Sequence, residues 1–336
     1  MLTLGIESSC DDTSIAVVEN GKEIKVSLVS SQIEIHRRFG GVVPEVASRK
    51  HLEAILPLLK EALEKAEINL KQIDQIAVTA GPGLLGPLLT GLSCAKALAW
   101  NLDVPLIPVN HIEAHLTAAF LSHGRLPEYP FLGLIVSGGH SNLVLAKGPR
   151  EFETLGYTVD DAPGELFDKV ARQLKLGYPG GPVIQKTGEG ADPDKYSLPR
   201  PMAGKGYLFS FSGMKTAVIR LVEQEKQNLD LPALCAALQK AVAETFSKKV
   251  AMALKETRAK RLIIAGGVAA NQPLREEMAK LAQKYKAEFL VPSLHLCTDN
   301  AAMIAAHGYL TAANAPENAL EVNATANWEM GAPYYF

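Results

Sequence analysis

Apolar positions along this chain follow two periods. At the start, Leu2-Thr3-Leu4-Gly5-Ile6 and Ile15-Ala16-Val17-Val18 are short apolar runs. They flank a small polar segment, Ser8-Ser9-Cys10-Asp11-Asp12-Thr13-Ser14. This pattern predicts strand, turn, strand. The same plan returns over residues 131–147, where Leu132-Gly133-Leu134-Ile135-Val136 leads through Ser137-Gly138-Gly139-His140-Ser141 to Leu143-Val144-Leu145. A second element also recurs. Ile73 to Ala80 reads as a buried strand, then comes Gly81-Pro82-Gly83, then a helix; Arg261 to Ala265 is followed by Gly266-Gly267 and a helix near Asn271. Hairpin, strand, glycine turn and helix thus occur twice, a repeat of topology without residue-by-residue similarity.

Helical periodicity fills the intervals. His51 to Ala66 places Leu52, Ile55, Leu56, Leu59 and Leu63 on one face, with Pro57 predicted to bend or interrupt it. Leu234 to Leu254 places Leu234, Leu238, Val242, Phe246, Val250 and Leu254 on another. Strands alternating with helices predict an α/β fold with mixed sheets. Glu34 to Arg49 and Gly188 to Tyr207 read as long exposed loops, which in compact proteins are functional or mobile.

Composition narrows the class. A length of 336 residues fits two domains at roughly 150 residues each. With 47% hydrophobic and 21% charged residues, general disorder is excluded. The net charge of −2 argues against nucleic-acid binding by bulk electrostatics and leaves room for a local basic patch. Cys10, Cys94, Cys235 and Cys297 are far apart, as expected of reduced thiols. No export signal is visible and no long apolar run exists; Leu84 to Trp100 is broken by Gly, Pro, Ser and Lys. The expectation is a cytoplasmic protein with no membrane association.

Several segments carry candidate chemistry. His111-Ile112-Glu113-Ala114-His115, if helical, stacks two histidines at i and i+4, where they can share a divalent metal; packed or surface histidines are the plainer alternative. Glu113 then lies about 200° around the helix from His111. That is the wrong side for the water-activating base of a zinc peptidase. Ser137-Gly138-Gly139 offers backbone N–H groups to an anion, or is an ordinary turn. Asp11 and Asp12 can orient a metal or accept a proton, or simply form an Asp-rich turn. Asp160, Asp161 and Glu165 precede or open a helix, where capping explains some of them; Asp168 lies a turn further in. Tyr178-Pro179-Gly180-Gly181-Pro182 suits close approach of a flat ligand or a rigid turn. Gly266-Gly267-Val268-Ala269-Ala270-Asn271 is a strand-to-helix glycine turn like those that admit nucleotides but is not GxGxxG, and GxxxxGK[ST] does not occur, so a P-loop is absent. Asp299 is a natural N-cap for a helix from Ala301 and equally a third ligand for His111 and His115; His295 and Cys297 are rival ligands.

Taken in order, ten motifs resemble one family. They are Gly-Ile-Glu-Ser-Ser-Cys-Asp-Asp-Thr (5–13), Gly-Gly-Val-Val-Pro-Glu-Val-Ala-Ser-Arg (40–49), Ala-Gly-Pro-Gly-Leu (80–84), His-Ile-Glu-Ala-His (111–115) and Val-Ser-Gly-Gly-His (136–140). Then come Asp-Asp-Ala-Pro-Gly-Glu (160–165), Tyr-Pro-Gly-Gly-Pro (178–182), Phe-Ser-Phe-Ser-Gly-Met-Lys-Thr (209–216), Gly-Gly-Val-Ala-Ala-Asn (266–271) and Cys-Thr-Asp-Asn-Ala-Ala-Met-Ile-Ala (297–305). The chain resembles the tRNA N6-adenosine threonylcarbamoyltransferase (TsaD) family, bacterial type, from Leu4 to His307, while Gly308 to Phe336 adds little.

The resemblance implies an actin/sugar-kinase/Hsp70-like fold, two related α/β domains around a central cleft. Residues 1–120 would form the first, with 301–336 returning to it, and 130–300 the second. It implies transfer of threonylcarbamoyl from threonylcarbamoyl-adenylate to N6 of adenosine 37 in tRNAs reading ANN codons. One divalent metal, iron or zinc, would be held by His111, His115 and Asp299. Ile135, Val136, Ser137, Gly138, Gly139, Asp168, Gly181, Gln185 and Asn271 would bind the adenylate, or ATP, and Asp11 is the candidate for accepting the N6 proton. A noncatalytic paralogue of the same fold and a small P-loop ATPase are the implied partners. From its apolar face alone, the helix His51–Ala66 is either all core, the plainer reading, or mostly core and partly partner-facing.

The chain departs from the family pattern at four positions. Ile135 stands where some relatives have a tyrosine metal ligand, and Gln185 where some have a carboxylate. Leu166 and Met214 replace a usual alanine and leucine. The tRNA surface is expected at His36, Arg37, Arg38, Arg49 and Lys50, with Lys255, Arg258, Lys260 and Arg261 as a rival patch. Two other classes compete with the transferase: an actin-like ATPase or chaperone module, and a zinc metalloendopeptidase.

Overall fold

The computed structural model describes residues 1–336, and the chain divides into two compact units. The first holds Met1–Glu128, Gly148–Phe152 and Pro292–Phe336; the second holds Tyr129–Lys147 and Glu153–Val291. The first unit opens with β1 (Leu2–Glu7), β2 (Asp12–Glu19) and β3 (Glu23–Ser31), an antiparallel meander. Then follow α1 (Ile33–Arg37), α2 (Pro44–Ala66), β4 (Gln75–Gly81), α3 (Leu85–Leu102), β5 (Leu106–Asn110) and α4 (His111–Leu121). The second unit is built from β6 (Phe131–Val136), most of β7 (Ser141–Gly148) and of β8 (Glu151–Tyr157), whose connection Gly148–Phe152 counts with the first unit, and α5 (Pro163–Gln173), α6 (Gly180–Thr187) and α7 (Ser212–Glu225). It continues with α8 (Leu231–Thr257), β9 (Arg261–Ala265), α9 (Gln272–Tyr285) and β10 (Glu288–Leu290). Two helices, α10 (Leu294–Cys297) and α11 (Ala301–Thr311), belong to the first unit again.

The two sheets have one topology. Their strand orders are β3-β2-β1-β4-β5 and β8-β7-β6-β9-β10, each numbered position shifted by five. In each, a strand after the hairpin pairs parallel with the hairpin's first strand: β4 with β1, and β9 with β6. The topological repeat read from the sequence is therefore present as a repeated sheet. No helix is long and apolar enough to cross a membrane.

The first sheet is covered on both faces, so its central strands β1 and β4 are buried along nearly their whole length rather than alternating. Ile76 and Val78 pack with Ile55, Leu59 and Leu92 from α2 and α3, while Ala77 and Val109 pack with α4 and α11. The seam to α11 is lined by small residues because the backbones nearly touch. A Cβ on Gly5 would overlap the Ala301 carbonyl oxygen at the start of α11, and one on Gly308 would overlap the Ala77 side chain.

Three expectations need correction. The helix predicted over His51–Ala66 begins at Pro44, so Glu34–Arg49 is largely helical and only residues 38–43 form a loop. Pro57 does not interrupt it, since Pro57 and Glu53 are both exposed and water can serve the carbonyl that loses its N–H partner. Its buried face is Ala47, His51, Ile55, Leu58, Leu59 and Ala62, whereas Leu52 and Leu56 are 66% and 61% exposed. By contrast all six apolar residues assigned to the inner face of α8 are buried. Replacing Gly5 by alanine is expected to destabilise the first unit by about 1–3 kcal/mol through overpacking against α11, measurable by urea denaturation.

Candidate functional site

α4 starts directly after β5, and its first turn is fixed by Asn110. The Asn110 Oδ1 accepts from Ile112 N at 2.9 Å and Glu113 N at 3.3 Å. This cap sets the direction of His111 at the first helical position and of His115 one turn later. Asp299 lies just before α11. The cap there is its neighbour Asn300, whose Oδ1 accepts from Met303 N at 2.9 Å and whose Nδ2 donates to Thr298 O at 2.8 Å. The N-cap role considered for Asp299 thus falls to Asn300, and the Asp299 carboxylate is directed at the histidines. Its Oδ1 is 3.4 Å from His111 Nε2 and 3.5 Å from His115 Nε2, and the two Nε2 atoms are 3.2 Å apart. Ligands about 2.0–2.1 Å from a tetrahedral metal are about 3.3–3.4 Å from one another. The three atoms therefore match one face of such a tetrahedron and leave a fourth direction open.

The rival ligands do not join them. Cys297 is buried with its Sγ 3.6 Å from the carbonyls of Pro292 and Ser293, and His295 is exposed beside Ser293.

Glu7, which sequence reasoning passed over, completes this group. It ends β1 fully buried, and its Oε2 lies 2.9 Å from His111 Nδ1. Thr79 Oγ1 donates to the same oxygen at 2.6 Å, and Ser9 N donates to Oε1 at 2.5 Å. Donation of Nδ1–H to Glu7 leaves the His111 Nε2 lone pair for the side where Asp299 and His115 converge, the arrangement of a carboxylate-oriented metal histidine. The available signal was a carboxylate closing an otherwise apolar strand.

Electrostatics agree with a cation site. Burial pushes His111 down, but the Glu7 and Asp299 carboxylates outweigh it and hold the imidazole well above its usual range. Burial pushes both carboxyls up, and His111 reverses that, so each sits below the ordinary carboxylate range. His115 is lowered, chiefly by burial. One imidazolium, one neutral imidazole and two carboxylates leave the cluster with one surplus negative charge; release of the His111 Nε2 proton, which ligation requires, raises it to two, the charge that a divalent cation balances.

The Ser8–Thr13 turn is held by His51 of α2, whose Nδ1 is 2.7 Å from Thr13 Oγ1 and whose Nε2 is 3.0 Å from the Cys10 carbonyl. Asp11 is raised, first by burial and also by the Asp299 charge. Asp12 is pushed up to about 7, first by burial and then by Asp299, Asp11 and Glu7, and its Oδ1 is buried without a hydrogen-bond partner.

In the second unit, Ile135 and Val136 are core residues of β6, while Gly138 and Gly139 are exposed at the turn beyond it. Ser137 closes that turn with His140, and the turn rests on α5 through Glu165 N, which donates to Gly138 O at 3.1 Å. Nothing lies within 4 Å of a Cβ built on Gly138 or Gly139. Four other predicted residues meet around α6. Asp168 Oδ1 accepts from Gly180 N at 2.6 Å, beside Gly181. Gln185 Oε1 accepts from Asn271 Nδ2 at 3.1 Å and Gln272 N at 2.8 Å. Asn271 Nδ2 also reaches Gln239 Oε1 at 2.8 Å, a buried amide on α8 that its apolar surroundings in the sequence did not single out. Of the acidic residues before α5, for some of which capping is the plainer reading, Asp160 accepts from Phe211 N at 2.7 Å and Ser212 Oγ at 2.7 Å at the start of α7.

His36 leaves the proposed basic surface. It is fully buried, with Nε2 3.1 Å from Gln32 Oε1 and Nδ1 accepting from Val43 N at 3.3 Å, so it braces α1. Arg37, Arg38 and Arg49 remain exposed, Arg37 paired with Glu34 and Lys50 with Glu53.

Comparison with known proteins fits this geometry. The model of the family "TsaD: tRNA N6-adenosine threonylcarbamoyltransferase" matches residues 23–306. A protein named tRNA N6-adenosine threonylcarbamoyltransferase from Caldicellulosiruptor saccharolyticus is 48% identical over 327 residues, covering 96% of this chain and 97% of its own. One of the same name from Thermosipho africanus is 50% identical over 311 residues, covering 92% and 94%. The chain belongs to the TsaD family. Among solved structures, component A of (R)-2-hydroxyglutaryl-CoA dehydratase from Acidaminococcus fermentans shares the fold, with a TM-score of 0.56 and 16% identity over 93% of this chain and 99% of that one.

As a TsaD protein the chain is an acyltransferase that acts on tRNA, with the actin-like ATPase and sugar-kinase fold. This replaces the ATPase or chaperone reading. The peptidase reading also lacks its base, because Glu113 is directed to His307 and Gly331 and not to the triad. For Asp12 the sign of the pH effect is set by a folded-state pKa above the unfolded one: the native state keeps the proton longer. In TsaD stripped of metal by a chelator, stability relative to Asp12→Asn is expected to fall by on the order of 3 kcal/mol between about pH 4 and pH 7 and to level off above, as read by urea denaturation across pH.

Proposed function

We propose that this TsaD protein transfers threonylcarbamoyl from threonylcarbamoyl-adenylate to N6 of adenosine 37 in tRNAs that read ANN codons. A divalent metal, iron or zinc, is held by His111, His115 and Asp299. The observation that carries the metal reading is the convergence of three ligand atoms, 3.2–3.5 Å apart, two on buried histidines and one on the partly exposed Asp299, with surplus negative charge.

The chemistry asks for orientation and charge stabilisation. The N6 lone pair is delocalised into adenine and is a weak nucleophile, whereas the carbamoyl-adenylate is an activated acyl donor. N6 attacks the carbamoyl carbon, the bond from that carbon to the phosphate oxygen breaks, AMP leaves, and N6 gives up one proton. When bound, the cation supplies Lewis-acid charge for oxygens of the acyl donor. Glu7 keeps His111 in the orientation that presents Nε2. Asp11, raised by burial, is a stronger base than an ordinary carboxylate and takes the N6 proton or orders the water that does. On the second unit, the Gly138–Gly139 backbone, Asp168, Gly181, Gln185 and Asn271 bind the adenylate, with Gln185 meeting the ribose as a neutral amide.

Exposed Arg37, Arg38 and Arg49 contact tRNA phosphates. Turnover in the cytoplasm uses a noncatalytic paralogue and a small P-loop ATPase, since this chain has no P-loop. The apolar outer faces of α2 and α3, with Leu52, Leu56, Leu85 and Leu89 exposed, support a protein partner there.

Purified protein given threonylcarbamoyl-adenylate and unmodified tRNA is expected to yield threonylcarbamoyladenosine by nucleoside mass spectrometry. His111→Ala/His115→Ala is expected to lose bound metal and at least about 100-fold in product rate; stoichiometric metal retained in that variant would move the site. Gly139→Val has room in the free protein, so its melting temperature should hold while nucleotide affinity drops by about tenfold. Unchanged affinity would remove the Gly138–Gly139 turn from the adenylate site.

A further inference from the structure

Glu113, the middle carboxylate of His-Ile-Glu-Ala-His, has no place in the reaction above, yet it is only 1% exposed. Its Oε2 lies 3.2 Å from His307 Nε2 on α11, and its Oε1 accepts from Gly331 N at 2.7 Å. The other ring nitrogen of His307, itself 2% exposed, is 2.9 Å from Thr117 Oγ1. Glu113 and Thr117 are i and i+4 on α4, so one face of that helix grips a single imidazole of α11, while His111 and His115 occupy another face. Asp299 lies immediately before the helix that carries His307.

The apolar part of the α4–α11 contact is a seam of alanines, including Ala114, Ala118, Ala302, Ala305 and Ala306. Methyl groups of one size pack almost equally well in neighbouring registers. A buried polar pair does not, because any slip leaves its donors and acceptors unpaired.

The C-terminal segment is tied into the same contact. Asn110, the cap of α4, donates to Trp328 O at 3.0 Å and Glu329 O at 3.4 Å. Arg150 binds the Ala332 carbonyl and lies 4.1 Å over the Tyr334 ring. Gly331 has φ +74°, a left-handed conformation that turns its N–H to Glu113, and a Cβ there would press on the Arg150 carbonyl at 3.1 Å. The segment from Gly308 onward, which added little to the resemblance, thus closes the frame around α4.

We infer that Glu113 is a positioning residue for the metal ligands: through His307 and the Gly331 N–H it fixes the register of α4 against α11, and with it the spacing of His111, His115 and Asp299. This rests on the metal reading above, and cobalt(II) as a spectroscopic probe separates the two. Wild type loaded with Co²⁺ is expected to show intense tetrahedral d–d absorption that His111→Ala/His115→Ala lacks; if wild type shows none, the metal reading itself fails.

Given that spectrum, Glu113→Ala and His307→Ala are expected to weaken Co²⁺ affinity about 10–100-fold in chelator competition and to change the band pattern. Glu113→Gln should retain most of the affinity, since its amide can accept from Gly331 and donate to His307 in the other tautomer, with Thr117 as the new acceptor. Should the alanine variants not fold, Glu113→Asp carries the test: it keeps the charge but is one methylene too short to reach both partners, and the same losses are expected. Wild-type affinity and spectrum in a folded Glu113→Asp or Glu113→Ala variant would overturn the proposal.

Discussion

α11 lies so close to the first sheet that its leading carbonyl, on Ala301, leaves no room for a side chain on Gly5 of β1. The meeting of Glu7, His111, His115 and Asp299 depends on this approach. Glu7 comes from the end of β1, His111 and His115 from the helix after β5, and Asp299 from a segment nearly two hundred residues later. Gly5, Ala16 and Ala77 on the sheet, against an alanine-rich helix that itself carries Gly308, allow backbones to meet, so that polar side chains at their ends can touch.

That closeness has an electrostatic consequence. Four ionisable groups are gathered, Glu7, His111 and His115 buried and Asp299 partly exposed, where an isolated charge is costly and a broken buried pair leaves its partner uncompensated, a penalty on the order of 3–5 kcal/mol. The cluster meets it by pairing His111 with carboxylates on both sides, and each carboxylate gains further donors or a second histidine. The arrangement remains one negative charge in surplus. A divalent cation held there would take the place of the His111 proton, and the neighbouring Asp11 and Asp12 are both raised, chiefly by burial and in part by the Asp299 charge.

Much of this was legible in the sequence. Strand–turn–strand patterns at both ends of the repeat, the i, i+4 histidines, and the inner face of α8 all follow from local periodicity, and each forms as read. What escaped was what depends on partners distant in sequence. The buried face of α2 is rotated from the apparent leucine stripe because His51 turns inward to hold the Cys10 carbonyl and Thr13, which leaves Leu52 and Leu56 outside. His36 looked like surface charge but serves as a hydrogen-bonding brace. Asn300 rather than Asp299 caps α11, a choice between adjacent residues that no spacing rule decides. Glu7 and Glu113 are single carboxylates in apolar settings, and their partners come from elsewhere in the chain.

The central claim is that the histidine pair and Asp299 form one metal centre. X-ray absorption at the metal edge of the loaded protein measures it most directly. Two imidazole nitrogens and an oxygen at about 2.0–2.2 Å, with no sulfur, is the predicted shell. A sulfur neighbour near 2.3 Å would place the ion at a cysteine such as Cys297 and contradict the account.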